Sequence, residues 1–180
     1  MRFSGRAIWC VCLVLLLATH GSRAQETSPS EYQLKAAFLY NFAKFVEWPT
    51  NVFALEDSPI VIGVIGQNPF GEDLDNTIRN KTINKHPIEI KATDSISDAK
   101  KCQILFISTS ERDRLADILS GLRGASVLTV GEADTQDFIK SGGMINFVLV
   151  NNKIRFQINN EAAKSAGLKI SSKLLSLAQP

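Results

Sequence analysis

The chain has 180 residues, of which 44% are hydrophobic, 21% charged and 8% aromatic, with three cysteines. This is one domain's length with enough apolar content for a core, which excludes a disordered chain, a collagen-like repeat and a disulfide-stapled mini-protein. The 20 basic and 18 acidic residues give a formal charge of +2, too small for a nucleic-acid binder, which carries a basic face or stripe.

Arg2 and Arg6 precede an unbroken apolar run from Ala7 to Ala18, and a polar stretch then ends in Ser22-Arg23-Ala24. A basic start, a short apolar core and small residues at the first and third positions before a break are the parts of a secretory signal peptide. Residues 1–24 are therefore expected to be cleaved after Ala24, leaving 25–180 as a single exported domain. The alternative is a retained membrane anchor, but about 12 apolar residues fall short of the roughly 20 that a spanning helix needs. Cys10 and Cys12 lie inside the apolar run, so no lipidation site sits at the cut. Export removes three basic residues and no acid, leaving 17 basic against 18 acidic residues, a net charge of −1. Cys102 is then alone, which rules out an internal disulfide. Placed just ahead of an apolar run, it reads as a small buried hydrophobe rather than a thiol that links chains.

In the mature chain, Ser28-Pro29-Ser30-Glu31 sets a hydroxyl at a helix N-cap, proline at the first helical position and Glu three residues after the cap. The predicted helix runs through Tyr32, Leu34, Phe38, Phe42, Phe45 and Trp48 and stops at Pro49. Leu34, Phe38, Phe45 and Trp48 fall on one helical stripe, with Asn41 inside it, while Leu39, Tyr40, Ala43 and Val46 cover much of the opposite side. A helix so apolar all round is buried on more than one face or meets a partner. Ile60-Val61-Ile62-Gly63-Val64-Ile65 is a β-branched run, as in a strand of a parallel sheet covered on both faces. Asn68-Pro69 then caps a short helix bearing Phe70, Leu74 and Ile78, and Ile88-Glu89-Ile90 reads as a shorter, more exposed strand. Ile104 to Ile107 is a further strand, Ser108-Thr109-Ser110 caps a helix with Leu115, Ile118, Leu119 and Leu122, and Val127 to Val130 and Asp134 to Lys140 repeat the alternation. Met144 to Val150 and Ile154 to Ile158 are strands joined by Asn151-Asn152, residues that tolerate the angles of a tight hairpin. A helix from Asn160 to Ala166 closes at Gly167, and the leucines of 168–178 pack back onto the body. The expected fold is α/β, a three-layer sandwich with a mostly parallel central sheet and a C-terminal antiparallel hairpin at its edge.

Credible catalytic chemistry does not emerge from this pattern. His86, the single histidine of the mature chain, precedes Pro87 in a polar connection and reads as a surface residue, without the spacings of a zinc site or a hydrolytic triad. Ser97-Asp98-Ala99-Lys100 matches S-x-x-K without its companion motifs and reads as a polar loop. Gly63, Gly66 and Gly71 fit neither the dinucleotide fingerprint nor the P-loop. Acid pairs such as Glu72 with Asp73 are explained by helix first turns. No cofactor is implied. Small ligands of open α/β sheets sit beyond the carboxyl ends of the strands, which here means a polar cleft with Gln67, Asn68, Ser108 and Thr109.

Two segments carry a resemblance. Lys35-Ala36-Ala37-Phe38-Leu39-Tyr40-Asn41-Phe42-Ala43-Lys44-Phe45-Val46-Glu47-Trp48-Pro49 opens the domain. Gly142-Gly143-Met144-Ile145-Asn146-Phe147, then 153–159 and 166–175, close it. The pattern spans nearly all of the mature chain and resembles the YfiR/HmsC-like periplasmic proteins. The resemblance implies a non-enzymatic periplasmic regulator that binds the periplasmic part of an inner-membrane diguanylate cyclase and holds it inactive, limiting cyclic-di-GMP and biofilm formation. It also implies a homodimer, and an outer-membrane lipoprotein that can sequester the regulator. Control through an internal disulfide does not carry over, since only Cys102 remains after export.

Two functions follow. The first is an interaction protein that docks on a membrane-bound cyclase or sensor kinase, with Tyr40, Phe42, Trp48, Arg155, Ser171 and Lys173 as candidate contacts. The second is a periplasmic ligand-binding module that reports a small molecule to a receptor or transporter, using the cleft at Gln67, Asn68, Ser108 and Thr109.

Overall fold

The computed structural model describes residues 29–133 and 135–180. The expected signal peptide, Cys10, Cys12, the predicted cap Ser28 and Asp134 lie outside the described residues.

Helix α1 (Glu31–Phe45) is capped by Ser30, whose hydroxyl accepts a hydrogen bond from the Gln33 N–H at 3.1 Å. The cap is therefore Ser30, with Pro29 before the helix. The helix also ends short of Trp48. Val46 takes up extended angles, and β1 (Val46–Glu47) pairs antiparallel with β9 (Lys169–Ile170). The Ser171 N–H donates to the Phe45 carbonyl and extends this clasp. A β-branched valine is less suited to a helix than to a ladder, and here the ladder wins.

The inward face of α1 is made by Lys35, Ala36, Leu39, Phe42 and Ala43, while Leu34 is 39% exposed. The expected stripe is thus rotated. Small Ala36 and Ala43 let the helix lie close to the sheet, where Phe42 stacks on Phe147 and meets Phe156 edge-on. Close packing of this kind decides the face more strongly than the summed bulk of a stripe.

Among the described residues the main sheet has seven strands. Their order is β3 (Thr82–Ile83), β4 (His86–Thr93), β2 (Ile60–Ile65), β5 (Ile104–Ile107), β6 (Leu128–Gly131), β7 (Ile145–Val150) and β8 (Lys153–Ile158). The five inner strands run parallel, and β3 and β8 are antiparallel at the two edges. Alternation sends Ile62, Val64, Ile104, Phe106, Leu128 and Val130 to one face, under α1, α2 (Asp73–Ile78), α6 (Asn160–Ser165) and α7 (Ser172–Leu175). Leu105 and Ile107 face the other way, toward α3 (Ile96–Ala99), α4 (Leu115–Gly121) and α5 (Thr135–Lys140). Two cores on either side of one sheet make the expected three-layer sandwich.

The β7–β8 hairpin turns at Asn151 and Asn152, with φ of 50° and 60°, as a primed two-residue turn requires. A second hairpin, β3–β4, turns at Asn84 and Lys85, with φ of 50° and 76°. The sequence pattern does not reveal it, because lysine is not a usual occupant of that region. Helix α2 begins at Asp73 rather than at Asn68, whose side chain instead accepts from the Phe70 N–H at 2.9 Å in a local turn. Part of the segment read as a polar loop is α3, capped by Ser95.

The two sheet edges are finished differently. At β8 the tail folds back: the Gln179 N–H donates to the Phe156 carbonyl at 2.8 Å, and the Gln157 amide donates to the Pro180 carbonyl at 3.0 Å. At the opposite edge, β3 meets β4 only at His86 and Pro87.

Candidate functional site

Helix α1 presents its outer face near its C-terminal end. The Lys81 ammonium lies 4.4 Å from the centre of the Tyr40 ring, and Lys44 lies 5.6 Å from it. Lys44 is also 6.0 Å from the Phe45 ring, whose other neighbour is Lys173 at 5.2 Å. A row therefore runs from Lys81 through Tyr40, Lys44 and Phe45 to Lys173. The rings are half-buried and the three lysines exposed. Each contact of this type stabilises by about 0.5–1 kcal/mol at exposed sites, and it holds the long stems along apolar surface while the charge stays in water. Beside the row, Lys169 pairs with Glu47 at 3.1 Å across the β1–β9 clasp.

Of the six contact residues expected from sequence, Tyr40 and Lys173 stand in this row. Phe42 does not belong to any surface: it is fully buried among Phe38, Phe147 and Phe156, because it faces the sheet from the rotated inner stripe. Trp48 turns away and donates its indole N–H to the Gln103 carbonyl at 3.0 Å. With Phe53, Ile60, Ile83 and His86 it lines a cleft of about 220 Å³. Ser171 is the N-cap of α7, its hydroxyl accepting from the Leu174 N–H at 3.2 Å. Arg155 lies on β8, in a separate groove of about 490 Å³ with Leu34, Phe38 and Leu149. Lys44 and Lys81 were not singled out from sequence. Lys44 was detectable, since it follows Tyr40 by one helical turn; Lys81 reaches the ring from a distant turn.

His86 is half-buried rather than a surface residue. Its ring stacks on Phe53 at 4.3 Å and 24°, and its Nδ1 lies 2.7 Å from the Ser58 carbonyl, which makes that nitrogen the donor. Cys102 is buried as expected, and burial is the main cause that pushes its thiol pKa up.

The four residues expected to form a polar cleft stand where β2 and β5 end, with Gln67, Asn68 and Thr109 exposed and Ser108 buried. The Gln67 N–H donates to the Ser110 hydroxyl at 2.9 Å, and a Cβ on Gly66 would fall 2.4 Å from that same oxygen. Ser108 is buried and caps the short helical turn that follows β5. Thr109 lines a cavity of about 260 Å³ with Glu31, Tyr32, Lys35, Glu132 and Phe147.

In that cavity Lys35 bonds both Glu31 and Glu132, with the side chains of Lys35 and Glu132 only 5% and 6% exposed. The Tyr32 hydroxyl donates to Glu132 at 3.2 Å. Burial alone would lower the Lys35 pKa, but the bonds to Glu132 and Glu31 and their charges outweigh it and hold the ammonium above its ordinary value. Burial, followed by the Glu132 charge, raises Tyr32. A charged lysine enclosed by carboxylates is neither a free base nor a nucleophile. The cluster ties the first turns of α1 to the loop after β6.

The fold and the aromatic row together describe an α/β domain with rings and ammonium groups gathered on one side. The chain belongs to the YfiR/HmsC-like family, whose model matches residues 32–179. No curated protein matches it. The family is periplasmic and regulatory rather than catalytic, and it is associated with control of membrane-bound diguanylate cyclases.

Proposed function

We propose that this protein binds the periplasmic part of an inner-membrane diguanylate cyclase, or of a related sensor, and holds it inactive, so limiting cyclic-di-GMP and biofilm formation. Family membership across residues 32–179 carries this reading. The basic, apolar first segment supports export, with cleavage after Ala24. The row of Tyr40, Lys44, Phe45 and Lys173 supports a contact surface, because aromatic anchors rimmed by charge are the groups that dominate protein interfaces. A repressor acts by binding the inactive state of its target more tightly than the active one, since equal binding shifts nothing. An outer-membrane lipoprotein that covers the same row relieves the repression by competition, and the regulator itself works as a homodimer.

Deletion of the gene is expected to raise cyclic-di-GMP and biofilm, and the wild-type gene to restore both. Complementation with Tyr40→Ala combined with Lys173→Glu is expected to fail at unchanged periplasmic protein level. Unchanged cyclic-di-GMP in the deletion strain refutes the repressor reading.

A further inference from the structure

The sheet edge at β4 has no finishing element. Beyond Pro87 no strand among the described residues lies against it, so Ile88 to Thr93 is paired on its β2 side alone. Antiparallel pairing of His86 with Ile83 sets the parity of the strand: Ile90 and Ala92 turn their backbone N–H and C=O outward. Such a row is a template for another strand, and proteins that must prevent pairing place obstructing charges or proline there.

The side chains here match rather than obstruct. Ile88 and Ile90 are half-buried and pack against the core beneath α1 and α2, whereas Glu89 and Lys91 point from the opposite face and are exposed. An identical strand laid antiparallel about a two-fold axis at Ile90 sets Ile90 opposite the partner's Ile90. Glu89 then faces the partner's Lys91, and Lys91 faces the partner's Glu89. These two pairs occupy the positions where facing side chains approach most closely. Registers that keep the faces aligned change in steps of two residues. The neighbouring register on one side places Lys91 against the partner's Lys91, and that on the other side places Glu89 against the partner's Glu89. One register alone joins opposite charges.

The geometry points to a second copy of this chain as the occupant of this edge, with β4 pairing antiparallel to β4 and the sheet continuing across the two-fold axis. This rests on the homodimer of the proposed function and supplies its surface. It also separates the dimer contact from the aromatic row on α1.

Sedimentation equilibrium of the purified protein tests it. Glu89→Lys and Lys91→Glu each place like charges in both facing pairs, and each is expected to raise the dimer dissociation constant about tenfold or more. The double exchange Glu89→Lys with Lys91→Glu restores the complementary pattern and the wild-type constant. An equimolar mixture of the two single variants forms a heterodimer, because one supplies two lysines and the other two glutamates. Circular dichroism confirms that each variant is folded. A wild-type monomer at every concentration overturns both the dimer and its surface. A dimer indifferent to the single reversals, or not restored by the exchange, overturns the β4 surface alone. Neither result bears on cyclase repression, which the cyclic-di-GMP assay reads.

Discussion

Lys35 sits in the inner stripe of α1 with its ammonium almost wholly out of water, held by Glu132 and Glu31. Removing it leaves Glu132 buried without a counter-charge, so Lys35→Ala is expected to destabilise by about 3–5 kcal/mol in urea unfolding. Lys35→Met combined with Glu132→Leu recovers most of that loss, because a packed apolar pair replaces a buried ion pair at little cost. The folded-state pKa of Lys35 lies above the ordinary 10.5. Its contribution is therefore complete below that value and disappears as pH rises through the folded pKa; Tyr32, also raised, acts in the same direction. Unfolding measured between about pH 8 and about pH 11.5 is expected to show this alkaline loss in the wild type and a smaller one in the double variant. The pair was not legible in the sequence, since its partners stand 97 residues apart and nothing local to either announces the other.

At the scale of elements, the strands of the inner sheet were legible because continuous β-branched runs have few alternatives. Helix α1 was legible in existence but not in orientation or end: its face depends on how closely Ala36 and Ala43 meet the sheet, and its end on Val46 finding Ile170 far along the chain. The Gly142-Gly143 pair was visible as part of a motif, yet its reason lies in α5. The Phe138 ring occupies the space above both Gly131 and Gly143, where an added Cβ would lie 2.2 Å and 2.1 Å from ring atoms. Gly143→Ala is accordingly expected to cost about 1–3 kcal/mol by overpacking, read as a fall in the thermal midpoint. The proposed contact surface was half legible: aromatic residues of α1 stood out, but which of them face water depends on the rotation of the helix, and Phe42 is turned to the core.

At the scale of the whole molecule, Gln179 and Pro180 bond to β8, while among the described residues no strand lies against β4 beyond Pro87. In polymer terms the sheet has one end covered at Phe156 and Gln157 and one open end, so the proposed association through β4 would terminate at two subunits. A heterologous contact with both ends open propagates instead into fibres. Removal of Ala178, Gln179 and Pro180 unblocks the second end, and light scattering of the trimmed protein is expected to rise with time and concentration where the intact protein stays constant. In the proposed dimer, the few residues that fold back on β8 thereby act as a chain terminator, setting its size from the side of the sheet that takes no part in forming it.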